Sequence, residues 1–113
     1  MTVLDTESGK VIAAVPIGEG CDGAGFDPET GLAFCSNGGG TLTVVQETSP
    51  GKFEVVETVA TRSGARTMTI DPKTHSIYLP AAQFGPPPEP TPENPRPRRT
   101  IIKDSFVILV VGK

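Results

Sequence analysis

The chain has no tryptophan, and Phe and Tyr together make up only 5% of its 113 residues. A core made without large rings falls mainly to Val, Ile, Leu and Ala, which favours many short strands over helices. Cysteine is equally scarce. Cys21 and Cys35 are too few for a disulfide framework and, alone, too few for a structural zinc site. No apolar run approaches the ~18 residues of a membrane span. The opening Met1-Thr2-Val3-Leu4-Asp5 lacks the basic start and apolar stretch of an export signal, so no membrane segment and no signal peptide are expected. No sign of charge dominates: 10 basic against 13 acidic residues leave a net charge of −3, which supplies no field for nucleic acid. The local exception, Arg96-Pro97-Arg98-Arg99, lies in a Pro-rich stretch and reads as a solvated loop before a phosphate patch.

What the chain does have is turn residues and a repeat. Its 13 Gly and 12 Pro exceed a fifth of the sequence. Phe26-Asp27-Pro28-Glu29-Thr30-Gly31-Leu32-Ala33-Phe34 returns as Ile70-Asp71-Pro72-Lys73-Thr74-His75-Ser76-Ile77-Tyr78, an offset of 44 residues (71 − 27). Each copy reads as a strand, an Asp-Pro turn and a second strand, with the Asp carboxylate accepting backbone N–H groups within the turn. Upstream, Val15-Pro16-Ile17-Gly18-Glu19-Gly20 matches Val59-Ala60-Thr61-Arg62-Ser63-Gly64 at the same offset. Further back, Thr2-Val3-Leu4-Asp5 resembles Thr43-Val44-Val45-Gln46, each followed by a Gly-Lys turn and another strand.

A period of this length, with four strand signals in each copy, predicts an all-β chain of β-propeller blades, each a four-stranded antiparallel sheet. Lettering strands a to d outward from the axis, the chain reads c, d (2–5, 10–16), then a full blade a to d (23–26, 32–36, 41–46, 53–60), then a, b, c (67–70, 76–80, 105–111). The whole of 1–113 is thus one partial propeller domain of about two blades, divided 1–16, 23–60 and 67–111. The third part carries a Pro-rich insert over 83–99, and seven prolines there forbid helix and ladder alike. The insert reads as a stiff loop packed over its own protein, ahead of an SH3-like ligand or a docking arm.

Val3-Leu4-Asp5-Thr6-Glu7-Ser8-Gly9-Lys10-Val11-Ile12-Ala13-Ala14-Val15-Pro16-Ile17-Gly18, followed by Phe26-Asp27-Pro28, resembles the YVTN-repeat β-propeller family. The second copy departs from the pattern, with Arg62 where the first has Gly18. Members of that family usually carry seven blades and are commonly exported, which implies a periplasmic or secreted parent. The ending Ser105 to Lys113 looks like the strand that closes such a ring. The resemblance therefore implies the C-terminal part of a longer propeller, beginning at an internal Met, and a binding or scaffolding role.

The strand order gathers the d–a and b–c loops on one rim near the axis, where Asp22, Asn37, Arg62 and Arg66 become candidate ligand-binding residues. Asp22 and Arg66 share a repeat position (66 − 22 = 44), so an Asp–Arg contact between neighbouring blades is the first expectation, and anion or ligand binding by Arg62 and Arg66 the second. A metal site from Cys21, Cys35 and Asp22 lacks further ligands, because His75 belongs to a turn on the opposite face. No metal and no cofactor are expected. Folding the hairpin about its turn sets Cys35 nearer Ala24 than Cys21, so two free thiols are expected before a disulfide. His75, in a turn between Thr74 and Ser76, reads as solvent-exposed, and no nucleophile–base pair is visible.

The function expected is therefore a non-enzymatic binding or scaffold module of unknown ligand, small molecule or protein. The alternative is a C-terminal fragment of a propeller enzyme whose catalytic residues lie in absent blades. Bare blade faces and strand edges predict a homo-oligomer, a trimer first and an edge-paired dimer second.

Overall fold

The computed structural model describes residues 1–112, and Lys113, the last residue of the expected closing segment, lies outside the described residues. The fold is all-β. Nine strands form three antiparallel sheets of two, four and three strands: β1(Thr2–Leu4) with β2(Val11–Ala14); β3(Cys21–Asp27), β4(Leu32–Asn37), β5(Thr41–Ser49) and β6(Lys52–Ala60) in that order; and β7(Thr69–Asp71), β8(Ser76–Ala81) and β9(Val107–Val111). Every expected strand has its counterpart. The main differences are a longer β5, which runs on to Ser49 opposite Lys52, and a last strand that starts at Val107 and not at 105.

One turn design makes three of the hairpins. In Asp5–Gly9, Asp27–Gly31 and Asp71–His75 the fifth residue donates its N–H to the first residue's carbonyl, at 2.8 Å in each case. The first residue's carboxylate accepts the N–H two residues on, at 2.8 Å from Glu7, 3.1 Å from Glu29 and 2.9 Å from Lys73. The fifth residue is left-handed: φ is 71° at Gly9, 73° at Gly31 and 63° at His75. Glycine takes that conformation freely, whereas an L side chain does so at a cost, so His75 is a substitution that something else must compensate.

The core lies between the second and third sheets. Phe34, Leu42 and Val44 from one meet Ile77, Leu79 and Ala81 from the other, and Ala65 from the β6–β7 loop plugs the end. The edge strands β3 and β7 approach each other because β3 is glycine-rich. A Cβ on Gly23 would stand 2.9 Å from Met68 Cγ, and one on Gly25 3.0 Å from Met68 Cε. The molecule is elongated, 53 × 31 × 20 Å, and its radius of gyration is 17.0 Å, against about 13 Å for a compact domain of this length. Apolar side chains are consequently bare at both ends of the stack, among them Leu4 and Val11 at one end and Phe106, Ile108 and Val110 at the other, all more than half exposed.

Candidate functional site

The three rim loops meet as the repeat requires. Gly38 N–H donates to Gly20 O at 2.8 Å, Gly64 N–H to Gly38 O at 2.8 Å and Thr61 N–H to Gly40 O at 2.8 Å, so the β2–β3, β4–β5 and β6–β7 loops are laced in series. Gly20 and its repeat partner Gly64 both have positive φ, 72° and 88°. The β6–β7 loop is pinned further. Ala65 is buried in the core, Ala65 N–H reaches Arg62 O at 2.9 Å, and the buried Ser36 hydroxyl donates to Arg66 O.

The four candidate residues occupy different levels of this rim. Asn37 is fully buried beneath the loops, and its Nδ2 donates to Thr43 Oγ1 at 2.9 Å and Thr41 Oγ1 at 3.1 Å. Gly18 passes directly over it: a Cβ there would stand 2.7 Å from Asn37 Nδ2 and 2.5 Å from Thr41 Oγ1. Asp22, the extra residue of a bulge between Cys21 and Gly23, is exposed. It forms no ion pair with Arg66 among the described residues. Instead, Asp22 Oδ2 accepts the hydroxyl of Thr67, in the β6–β7 loop, at 3.1 Å.

Arg62 and Arg66 instead border an open cavity of about 1210 Å³, which Arg98 and Arg99 of the insert also line. The second pair was not legible in the sequence as part of this rim, since both residues sit in the Pro-rich insert. The foot of the insert is built: Phe84 bridges Ile101, Gly85 N–H donates to Thr100 O at 2.9 Å and Ile102 N–H to Gln83 O at 2.8 Å. The apolar residues at the two ends of the insert were the available signal for this short ladder, which delivers Arg98 and Arg99 to the mouth of the cavity.

On the opposite rim, His75 corrects its expected solvent exposure. Its side chain is 19% exposed, with Nδ1 2.5 Å from Asp27 Oδ2 and Nε2 3.2 Å from Glu29 Oε2. Two copies of one turn lie side by side there, and the Asp27 oxygen left free by its own turn faces the next sheet. Burial works to raise the Asp27 carboxyl, but the His75 hydrogen bond and the Glu29 N–H together hold it below its ordinary value of 3.8.

The cysteines are both free, Cys21 exposed and Cys35 buried opposite Ala24 in the ladder. Burial first, and then the neighbouring Cys21 sulfur, pushes the Cys35 thiol up to about 11, so it stays protonated and unreactive at neutral pH. Among the described residues no three His, Cys, Asp or Glu side chains gather as metal ligands. No protein-family model matches the chain, and no curated protein or solved structure matches it either, so the geometry of its own rim carries the functional reading.

Proposed function

We propose that this chain is a set of β-propeller blades acting as a non-enzymatic binding or scaffold module, with its ligand face at the laced rim and its missing neighbours supplied by further copies of itself. The observation that carries this reading is the 44-residue repeat acting on the third dimension. The same turn, the same positive-φ glycine and the same rim loop recur at the repeat spacing, as successive blades of one architecture would have them. A blade stack puts its inter-sheet loops on one face, and binding residues come from those loops while the strands hold them.

Self-assembly is supported by the third sheet. In the second sheet, β6 lies beside β5; in the third, no strand among the described residues pairs with the edge of β9 that faces away from β8. Its outer edge borders a groove of about 410 Å³ against β6, lined by Val59, Leu109 and Val111 among others. By repeat position the strand that belongs there corresponds to β2. The occupant proposed is β2 of a second copy, with β1 released from it to pair elsewhere. Three copies contributing two blades each make a six-bladed ring.

Sedimentation equilibrium on the purified chain tests the reading. A trimer is expected, and Ile108→Lys should dissociate it by putting a charge into the new interface. A dimer dissociated by the same substitution points to edge pairing in place of a ring. A stable monomer of 11.8 kDa at micromolar concentration overturns assembly.

A further inference from the structure

Four of the chain's five arginines border one cavity, in a protein whose net charge is −3. None of the four has an acidic partner within ion-pair distance among the described residues, whose ion pairs involve Lys52 and His75 instead. No carboxylate lines the cavity. Four exposed guanidinium groups on one cavity with no counter-charge give it a positive local field that favours an anion.

The two walls are independently fixed. Arg66 rises from the pinned β6–β7 loop, and its stem lies across Gly38, where a Cβ would meet Arg66 Cδ at 3.7 Å. Arg98 and Arg99 follow from the ladder at the foot of the insert. The two walls are in contact through Phe84, whose Cε2 lies 4.0 Å from where a Gly64 Cβ would be. Phe84 and Ile102 also face the cavity, and both remain about half exposed, which leaves an apolar surface beside the four cations.

We propose that this cavity is a binding site for a small organic polyphosphate, its phosphates gripped between Arg62 and Arg66 on one wall and Arg98 and Arg99 on the other, its apolar body lying on Phe84 and Ile102. The guanidinium fork takes phosphate oxygens two at a time, so two pairs of arginines suit a ligand with more than one phosphate. A flat apolar group on Phe84 gains stacking and covers surface now wet. This rests on the binding reading of the rim and not on the assembly of copies.

Isothermal titration calorimetry of the full chain with magnesium-free ATP and with inorganic tripolyphosphate tests it. Both should bind, ATP more tightly, and both more weakly as salt is raised. Arg98→Ala/Arg99→Ala and Arg62→Ala/Arg66→Ala should each weaken binding by more than about tenfold. Arg98→Lys/Arg99→Lys should recover only part, because it keeps the charge and loses the fork. Lys52→Ala/Lys73→Ala, away from the cavity, should change nothing. Absence of binding at millimolar ligand overturns the proposal, as do an unaffected Arg98/Arg99 variant and equal loss in the lysine control. Tripolyphosphate binding as tightly as ATP overturns the apolar part. Sedimentation, which reads assembly, is scored separately, so failure of the ring and failure of this site are told apart.

Discussion

His75 Nδ1 lies 2.5 Å from Asp27 Oδ2, and with the contact of Nε2 to Glu29 Oε2 this hydrogen bond joins the hairpin turns of two consecutive sheets. The histidine holds a left-handed position that the preceding copy of the turn gives to Gly31, so the cross-sheet bond compensates a local backbone cost.

Separating the two effects needs two substitutions. His75→Ala loses the bond and keeps the strained φ, whereas His75→Gly loses the bond and relieves the strain. The glycine variant should therefore be the more stable of the two by about 1 kcal/mol. Both should fall below the parent chain. Urea denaturation of the three proteins checks the order, and an alanine variant as stable as the glycine one would refute it.

The same pair sets an acid limit. Because the Asp27 carboxyl is held below 3.8 in the folded chain, its contribution is complete above the unfolded value and is lost as pH falls through the folded one. Stability should decline as the pH drops below about 4. Asp27→Asn should be less stable at neutral pH and show a flatter profile in that acid window, read by circular dichroism melts from pH 6 to pH 2.

Gly18 tests the close approach above Asn37. Its substitution by Ala places a methyl 2.5 Å from Thr41 Oγ1 and 2.7 Å from Asn37 Nδ2, both part of a hydrogen-bonded, tightly packed group. The cost of such overpacking is about 1 to 3 kcal/mol. Gly31→Ala, where nothing stands within 4 Å but φ is 73°, should cost only the ~1 kcal/mol of the left-handed backbone. Thermal melts should rank Gly18→Ala as the more damaging change.

The insert separates fold from binding. Replacing residues 86–98 by an Asn-Gly turn keeps the ladder between Gln83–Gly85 and Thr100–Ile102. Closing a shorter loop costs little chain entropy. The far-ultraviolet circular dichroism should be unchanged and the protein soluble; insoluble protein would mean that the proline arm is part of the core.

How far the sequence could be read follows from the range of the forces involved. The Asp-Pro turns and alternating apolar residues act over a few residues, and they place β3, β4, β7 and β8 without any knowledge of the third dimension. The pairing of Ala24 with Cys35 follows from counting outward from one such turn. What escaped was contact between copies. His75 looks exposed within its own hairpin and is enclosed by the turn of the preceding copy, through Asp27, 48 residues earlier, and Glu29. Arg98 and Arg99 look solvated inside a polar, proline-rich stretch, and only the ladder at its foot brings them back to Arg62 and Arg66. Asp22 and Arg66, equivalent by repeat, miss each other because the bulge at Asp22 has no twin in β7, which begins at Thr69.

The stack has unlike ends: a two-stranded hairpin at one, and the unaccompanied edge of β9 at the other. A contact made end to end is therefore polar, like a link in a chain, and each added copy presents a fresh terminus identical to the one just used. Whether such growth stops depends on the angle between successive sheets. A rotation that divides a full circle evenly gives discrete particles, and one with even a slight axial rise gives filaments whose turbidity increases with protein concentration.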